Sequence, residues 1–134
     1  MSVGLVVVSH SAKVAEGVVE LAAKVAGGVR VRAAGGTLDG GIGTHATRVA
    51  AAIRAADAGD GVLVLVDLGS AVLSARLAIA ELLDQQRRSR VRISWAPLVE
   101  GAVLAAVRAS TGAALDEVDA AASGTTTTSR LTGC

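Results

Sequence analysis

Residues 4–26 read GLVVVSHSAKVAEGVVELAAKVA, and two periodicities meet inside them. Gly4 to Val8 is an unbroken apolar run rich in β-branched residues, the pattern of a short strand covered on both faces. After Ser9-His10-Ser11 the period changes. Val14, Val18, Leu21, Ala22 and Val25 fall at three- and four-residue spacing, which predicts an amphipathic helix over 12–26. A buried strand feeding a helix through a polar turn is the opening of a βαβ unit.

The rest of the chain repeats that grammar. GVLVLV at 61–66 is a second continuous run, whereas VRVRA at 29–33 and VRISW at 91–95 alternate, as strands nearer a sheet edge do. Helical segments are predicted over 44–58, over 70–86, from Glu100 to about Ser110, and briefly over 115–122. In the third helix Leu73, Leu77, Ala80 and Leu82 or Leu83 form the expected stripe. Strand alternating with helix predicts an α/β fold, a three-layer open sheet of four mainly parallel strands flanked by helices. From Ser123 the composition turns to SGTTTTSRLTGC, so the expected division is a domain at 1–122 and a flexible Thr-rich tail at 123–134.

Composition narrows the function. Of 134 residues, 51% are hydrophobic and 19% charged, enough apolar material for one core. Thirteen basic and twelve acidic side chains leave a formal charge of +1, and one Trp is the only aromatic. Nothing here tracks or stacks a nucleic acid. Arg87, Arg88, Arg90 and Arg92 form the only basic run, and it reads as a solvated helix-to-strand connection. The single cysteine, Cys134, allows no intrachain disulfide and builds no metal site. The apolar run at 3–8 is too short for a signal peptide or a membrane span, so a cytoplasmic protein with no membrane association is expected.

In open α/β sheets ligands bind beyond the carboxyl ends of the strands, where strand order reverses. The residues after each predicted strand are Ser9-His10-Ser11, Ala34-Gly35-Gly36-Thr37, Asp67-Leu68-Gly69-Ser70 and Trp95-Ala96-Pro97. His10 is the nucleophile candidate, since an imidazole with one nitrogen protonated has the other free to attack phosphorus. Asp67 has the chemistry to hold the protonated nitrogen, although a helix-start charge or cap explains it equally well on local sequence. Helix N-termini near Ser11 and Ser70 offer amides to phosphoryl oxygens without a metal; Ser70 suits an N-cap, and at Gly69 backbone is expected to approach the phosphate. His45, one residue past the expected N-cap Thr44, reads as a neutral surface histidine. Trp95 reads first as core at the end of an edge strand and alternatively as lining the cleft, and Glu100 as a first-turn helix charge. There is no GxGxxG after the first strand and no GxxxxGK[ST], which argues against a dinucleotide or nucleoside triphosphate site.

Four blocks carry a resemblance: VVVSHSAKVAEGVVELA at 6–22, AAGGTLDGGIGTHATRV at 33–49, VLVLVDLGSAVLSA at 62–75 and APLVEGAVLAAV at 96–107. Together they resemble the phosphotransfer subunit of phosphoenolpyruvate-dependent dihydroxyacetone kinase, itself similar to the mannose-type EIIA domains of the phosphoenolpyruvate:sugar phosphotransferase system. The SHS block and the glycine-rich DGGIGT block favour the dihydroxyacetone type. Arg76 departs from the family, which often carries an acidic residue there. The resemblance implies strand order 2-1-3-4 and a homodimer. It implies that His10, through Nε2, accepts phosphate from phospho-HPr and passes it to ADP on a DhaL-type subunit, for dihydroxyacetone held on a DhaK-type subunit. Asp67 is the implied partner of His10, with Gly69 and Ser70 beside the phosphate; Ser9, Ser11, Gly35 and Gly36 are expected to join them as phosphate neighbours from their places after the first two strands. ADP, ATP and Mg²⁺ belong to the partner subunit, leaving this one without a cofactor or metal. Two rival expectations stand beside it: an EIIA that feeds a sugar transporter, and a regulatory domain of the same fold without phosphotransfer.

Overall fold

A computed structural model describes residues 2–124. Four strands, β1 (Gly4–Ser9), β2 (Val31–Gly35), β3 (Val62–Val66) and β4 (Val91–Ser94), form one sheet in the order β2-β1-β3-β4. All three pairings are parallel. The helices are α1 (Ala12–Val25), α2 (Ala46–Ala56), α3 (Gly69–Leu77), α4 (Gln85–Arg88), α5 (Leu98–Ala109) and α6 (Leu115–Gly124). The expected three-layer α/β class and strand order are thus present.

Side-chain alternation along the central strands divides the core in two. Leu5, Val7, Leu63 and Leu65 face a layer made by α1, α5 and α6. Val6, Val8, Val62, Val64 and Val66 face α2, α3 and the turn after it. Every residue of β1 and β3 is therefore buried, which is why both strands read as continuous apolar runs. The alternating strands, β2 and β4, are the edges.

The helices depart from expectation in their facing residues. On α1 the buried positions are Ala15, Val18 and Ala22, while Val14, Leu21 and Val25 are about half exposed. On α3 they are Ala71, Val72 and Ala75, while Leu73 and Leu77 point outward. Small residues let the helix axes approach the sheet closely, so alanines, each set joined by one valine, hold the buried line and larger side chains flank it.

The helix expected over 70–86 is broken. After α3 comes a π-helical turn at Ala78–Leu82, then an extended Leu83, then α4. Asp84 starts α4 as its N-cap, accepting the Arg87 amide at 2.7 Å. Helix α2 starts later than expected because His45, rather than Thr44, is the N-cap; its Nδ1 accepts the Thr47 amide at 3.2 Å. Strand β2 lies two residues further on than expected.

Helix α6 carries Ser123 and Gly124, two residues past the expected domain boundary; the remainder of the Thr-rich tail, 125–134 with Cys134, lies outside the described residues. Among the described residues no helix is long and apolar enough to cross a membrane.

The basic run at 87–92 is not simply solvated. Arg87 and Arg90 both clasp Asp57, whose side chain is 1% exposed, at 2.9 Å each, and Arg92 pairs with Asp119 at 2.8 Å. Burial pushes the Asp57 carboxyl up, but Arg90, the Gly59 amide and Arg87 together hold it down to about 2.

Candidate active site

Parallel pairing puts Val8 opposite Val66, so the residues leaving β1 and β3 emerge side by side at the point where the sheet order reverses. The Asp67 amide donates to the Val8 carbonyl at 3.1 Å, extending the ladder by one bond. That register brings His10 and Asp67 together across 57 residues of chain.

The Asp67 carboxylate collects four donors. Oδ1 accepts His10 Nδ1–H at 3.0 Å and the Leu68 amide at 2.7 Å. Oδ2 accepts the Ser9 hydroxyl and the His10 amide, each at 2.9 Å. Partial burial raises the carboxyl, and these bonds outweigh it, led by the His10 amide and imidazole, so Asp67 lies below the ordinary carboxylate range. An ionised carboxylate only accepts, so His10 must carry its proton on Nδ1. The lone pair is then on Nε2. Nε2 lies 2.5 Å from Ser70 Oγ, and that hydroxyl has to be the donor. The His10 side chain is 21% exposed, so the ring is both held and reachable.

The surroundings explain how each expected neighbour is employed. Ser70 is not the N-cap of α3; Leu68 holds that position without a side-chain cap, which leaves the Ser70 hydroxyl free to face Nε2. The amides of Gly69 and Ser70 open α3 and lack intrahelical acceptors. A Cβ at Gly69 meets open space, so no neighbouring protein group requires glycine there.

Ser11 spends its hydroxyl capping α1, accepting the Val14 amide at 3.3 Å. Ser9, expected beside the phosphate, is fully buried, with its hydroxyl turned inward to Asp67. Gly35 is glycine because a Cβ there would sit 2.7 Å from the Ser11 carbonyl oxygen and 2.8 Å from Ala12 Cα; its constraint is packing against α1. Gly36 has φ +75° and gives its amide to the Ser9 carbonyl at 3.2 Å.

Two features were not foreseen from sequence. The Gly43 amide donates to the His10 carbonyl at 2.8 Å, and Thr44 Oγ1 meets Ser74 Oγ at 2.5 Å, so the glycine-rich loop is fastened to the site at two points. Trp95, expected first in the core, is 71% exposed, and the alternative place beside the cleft is the one it takes. It lines an open cavity of about 330 Å³ with Asp67, Leu68, Val72 and Pro97. Glu100 lies in the first turn of α5, as expected. Among the described residues no cluster of metal-ligating side chains occurs.

A partly exposed imidazole held by an aspartate thus sits at the switch point of the parallel sheet of an open α/β domain. The chain belongs to the EIIA-man family: the family model, described as PTS system fructose IIA component, matches residues 4–119.

Three of its relatives carry similar names. It is 44% identical over 120 residues to the Escherichia coli (strain K12) PEP-dependent dihydroxyacetone kinase, phosphoryl donor subunit DhaM; the match covers 87% of this chain and 25% of that protein. It is 41% identical over 107 residues to PEP-dependent dihydroxyacetone kinase 2, phosphoryl donor subunit DhaM, of Listeria innocua, covering 79% of this chain and 85% of the other. It is 36% identical over 118 residues to the Lactococcus lactis PTS-dependent dihydroxyacetone kinase, phosphotransferase subunit DhaM, covering 88% and 91%. The chain thus spans a quarter of the length of the enterobacterial relative and most of the length of the other two. Among solved structures, one described as the unknown function protein EF1359 superposes with TM-score 0.82 at 32% identity, covering 92% of this chain and 95% of that one.

Proposed function

We propose that this chain is the phosphohistidine carrier of a dihydroxyacetone kinase, taking a phosphoryl group on His10 Nε2 and delivering it to nucleotide on a partner subunit. The observation that carries the reading is the pairing of the His10 ring: Nδ1 lies 3.0 Å from the Asp67 carboxylate and Nε2 lies 2.5 Å from Ser70 Oγ. The DhaM names of the relatives supply the substrate.

In the uptake step the Nε2 lone pair attacks phosphorus in line with the donor's ring nitrogen. The new N–P bond forms as the old one breaks, and its electron pair returns to the donor imidazole. No proton need cross. The His10 ring gains positive charge as the bond forms, and Asp67, already ionised and hydrogen-bonded to Nδ1–H, stabilises that charge without reorganising. Ser70 Oγ–H, displaced from Nε2, is placed to donate to a phosphoryl oxygen, and the opening amides of α3 face the same group. Catalysis is therefore positioning and electrostatics.

The donor in this proposal is phospho-HPr and the acceptor is ADP with its Mg²⁺ on a DhaL-type subunit, which serves dihydroxyacetone on a DhaK-type subunit. The carrier works in the cytoplasm as a homodimer and binds neither metal nor nucleotide.

The test is phosphorylation from phosphoenolpyruvate through the two general carriers. The wild type acquires an acid-labile phosphate that maps to His10, and adding DhaL-type subunit with ADP yields ATP. His10→Ala keeps its circular dichroism and takes up none. Uptake by that variant, or stable label elsewhere, refutes the assignment. Labelling without ATP formation points instead to a sugar-transport EIIA.

A further inference from the structure

We propose that Ser9 is a positioning residue whose buried hydroxyl, acting through Asp67, sets the tautomer and aim of His10. This rests on the reading of His10 as the phosphoryl acceptor and adds a third member to its support.

Ser9 ends β1 with no exposed surface, so its hydroxyl cannot touch a phosphoryl group arriving at His10 Nε2. A buried serine in a strand needs only some partner for its polar atom. Here the oxygen accepts the Ser11 amide at 3.1 Å and gives its proton to Asp67 Oδ2 at 2.9 Å. The accepted bond occupies a lone pair and leaves the O–H directed at the carboxylate.

That direction matters because rotation of a carboxyl group about its last bond is soft and roughly two-fold. Oδ1 must stay in line with His10 Nδ1–H. The ring cannot fix it alone, because the ring is the group being aimed. Backbone holds the carboxylate in part, through the Leu68 amide on Oδ1 at 2.7 Å and the His10 amide on Oδ2 at 2.9 Å; among the described residues Ser9 is the one side chain that holds Oδ2 from behind. A single hydrogen-bonded chain results, running from the Ser11 amide through Ser9, Asp67 and His10 to Ser70. Bonds in such chains polarise one another. Because Ser11 is the N-cap of α1, the same chain ties the start of that helix to the direction of the Nε2 lone pair.

The test reads the tautomer directly. Full-length chain labelled with ¹⁵N, unphosphorylated and in alkaline buffer where imidazole is neutral, is compared as wild type, Ser9→Ala and Ser9→Thr. The wild type shows the Nδ1–H form. Ser9→Ala, which removes one oxygen and leaves the fold intact, shifts His10 toward a mixture with Nε2–H. At saturating donor it slows phosphate uptake about tenfold, in the range for partners that orient a functional imidazole, with the KM for donor unchanged. Ser9→Thr keeps the donor and recovers the wild-type tautomer and most of the rate.

A merely structural serine lowers the thermal midpoint on mutation and leaves the tautomer alone. An unchanged tautomer in Ser9→Ala overturns the proposal, whatever happens to the rate; so does a Ser9→Thr protein that folds yet behaves like Ser9→Ala. Since the spectra need no phosphorylation, they decide the role of Ser9 even if His10 proves to carry no phosphate.

Discussion

At the scale of single residues, the chemistry depends on how fully one carboxylate is occupied. Asp67 receives four hydrogen bonds, two of them from His10 itself. Replacing it with Asn keeps the shape but offers an amide whose NH₂ can face Nδ1, which favours the wrong tautomer. Asp67→Asn is expected to slow phosphate uptake by about 10²–10⁴-fold, read as initial rate at saturating donor. The same bonds give the acid response a sign. With the carboxyl held below its ordinary value of 3.8, its bonds contribute stability that is fully present above that value and is lost as pH falls through the lower, folded-state value. The denaturation midpoint of the wild type should therefore fall relative to Asp67→Asn in the acid range. A constant gap across that range would mean that the carboxylate is not held as described.

At the scale of elements, close approach matters more than side-chain bulk. The contact between β1 and α2 is the tightest such case: a Cβ on Gly4 would lie 2.1 Å from the Ala56 carbonyl oxygen at the end of α2. Backbone cannot yield as a flexible side chain can, so Gly4→Ala should destabilise by roughly 1–3 kcal/mol, measured by urea denaturation. Gly4 opens β1 and His10 follows its far end, so the folded fraction should transfer phosphate at the wild-type rate. A wild-type midpoint would show that α2 is free to shift. Gly35 packs against α1 by the same logic, but beside the site, where stability and transfer would change together.

At the scale of the whole molecule, the clasp of Arg87 and Arg90 on Asp57 ties the end of α2 to α4 and to the entrance of β4. Arg87 alone bridges 30 residues of sequence. Its pH dependence follows from the carboxyl's descent from 3.8 to about 2. The contribution, about 2 kcal/mol, is complete above the ordinary value and is lost as pH falls through about 2. Compared with Asp57→Asn, the wild type should be more stable at neutral pH and lose that advantage on acidification; an advantage that persists at about pH 2 would contradict the pairing. Trp95 offers a second global readout. It is the only Trp, largely exposed, and borders the cavity beside Asp67. Its emission in the free chain should be that of a hydrated indole, and a partner docking over His10 should shift it to shorter wavelength.

Pattern along the chain was enough for the class of fold. Two continuous aliphatic runs and two alternating ones marked central and edge strands, because burial on both faces leaves no polar positions to alternate. It was also enough to bring His10, Asp67 and Ser70 into one candidate site, because strand ends in a parallel sheet converge. Other features were decided only by tertiary packing. Alanines, with Val18 and Val72, took the buried line of α1 and α3 while Val14, Leu21, Val25, Leu73 and Leu77 stayed exposed, a matter of interlayer distance that periodicity does not encode. The tautomer of His10, the inward turn of Ser9, the exposure of Trp95 and the arginine clasp on Asp57 each depend on a partner tens of residues away or on space left open by other elements. A sequence specifies which groups are available; which hydrogen bond a hydroxyl or imidazole finally makes is settled by the register of one strand against another, to within a fraction of an ångström.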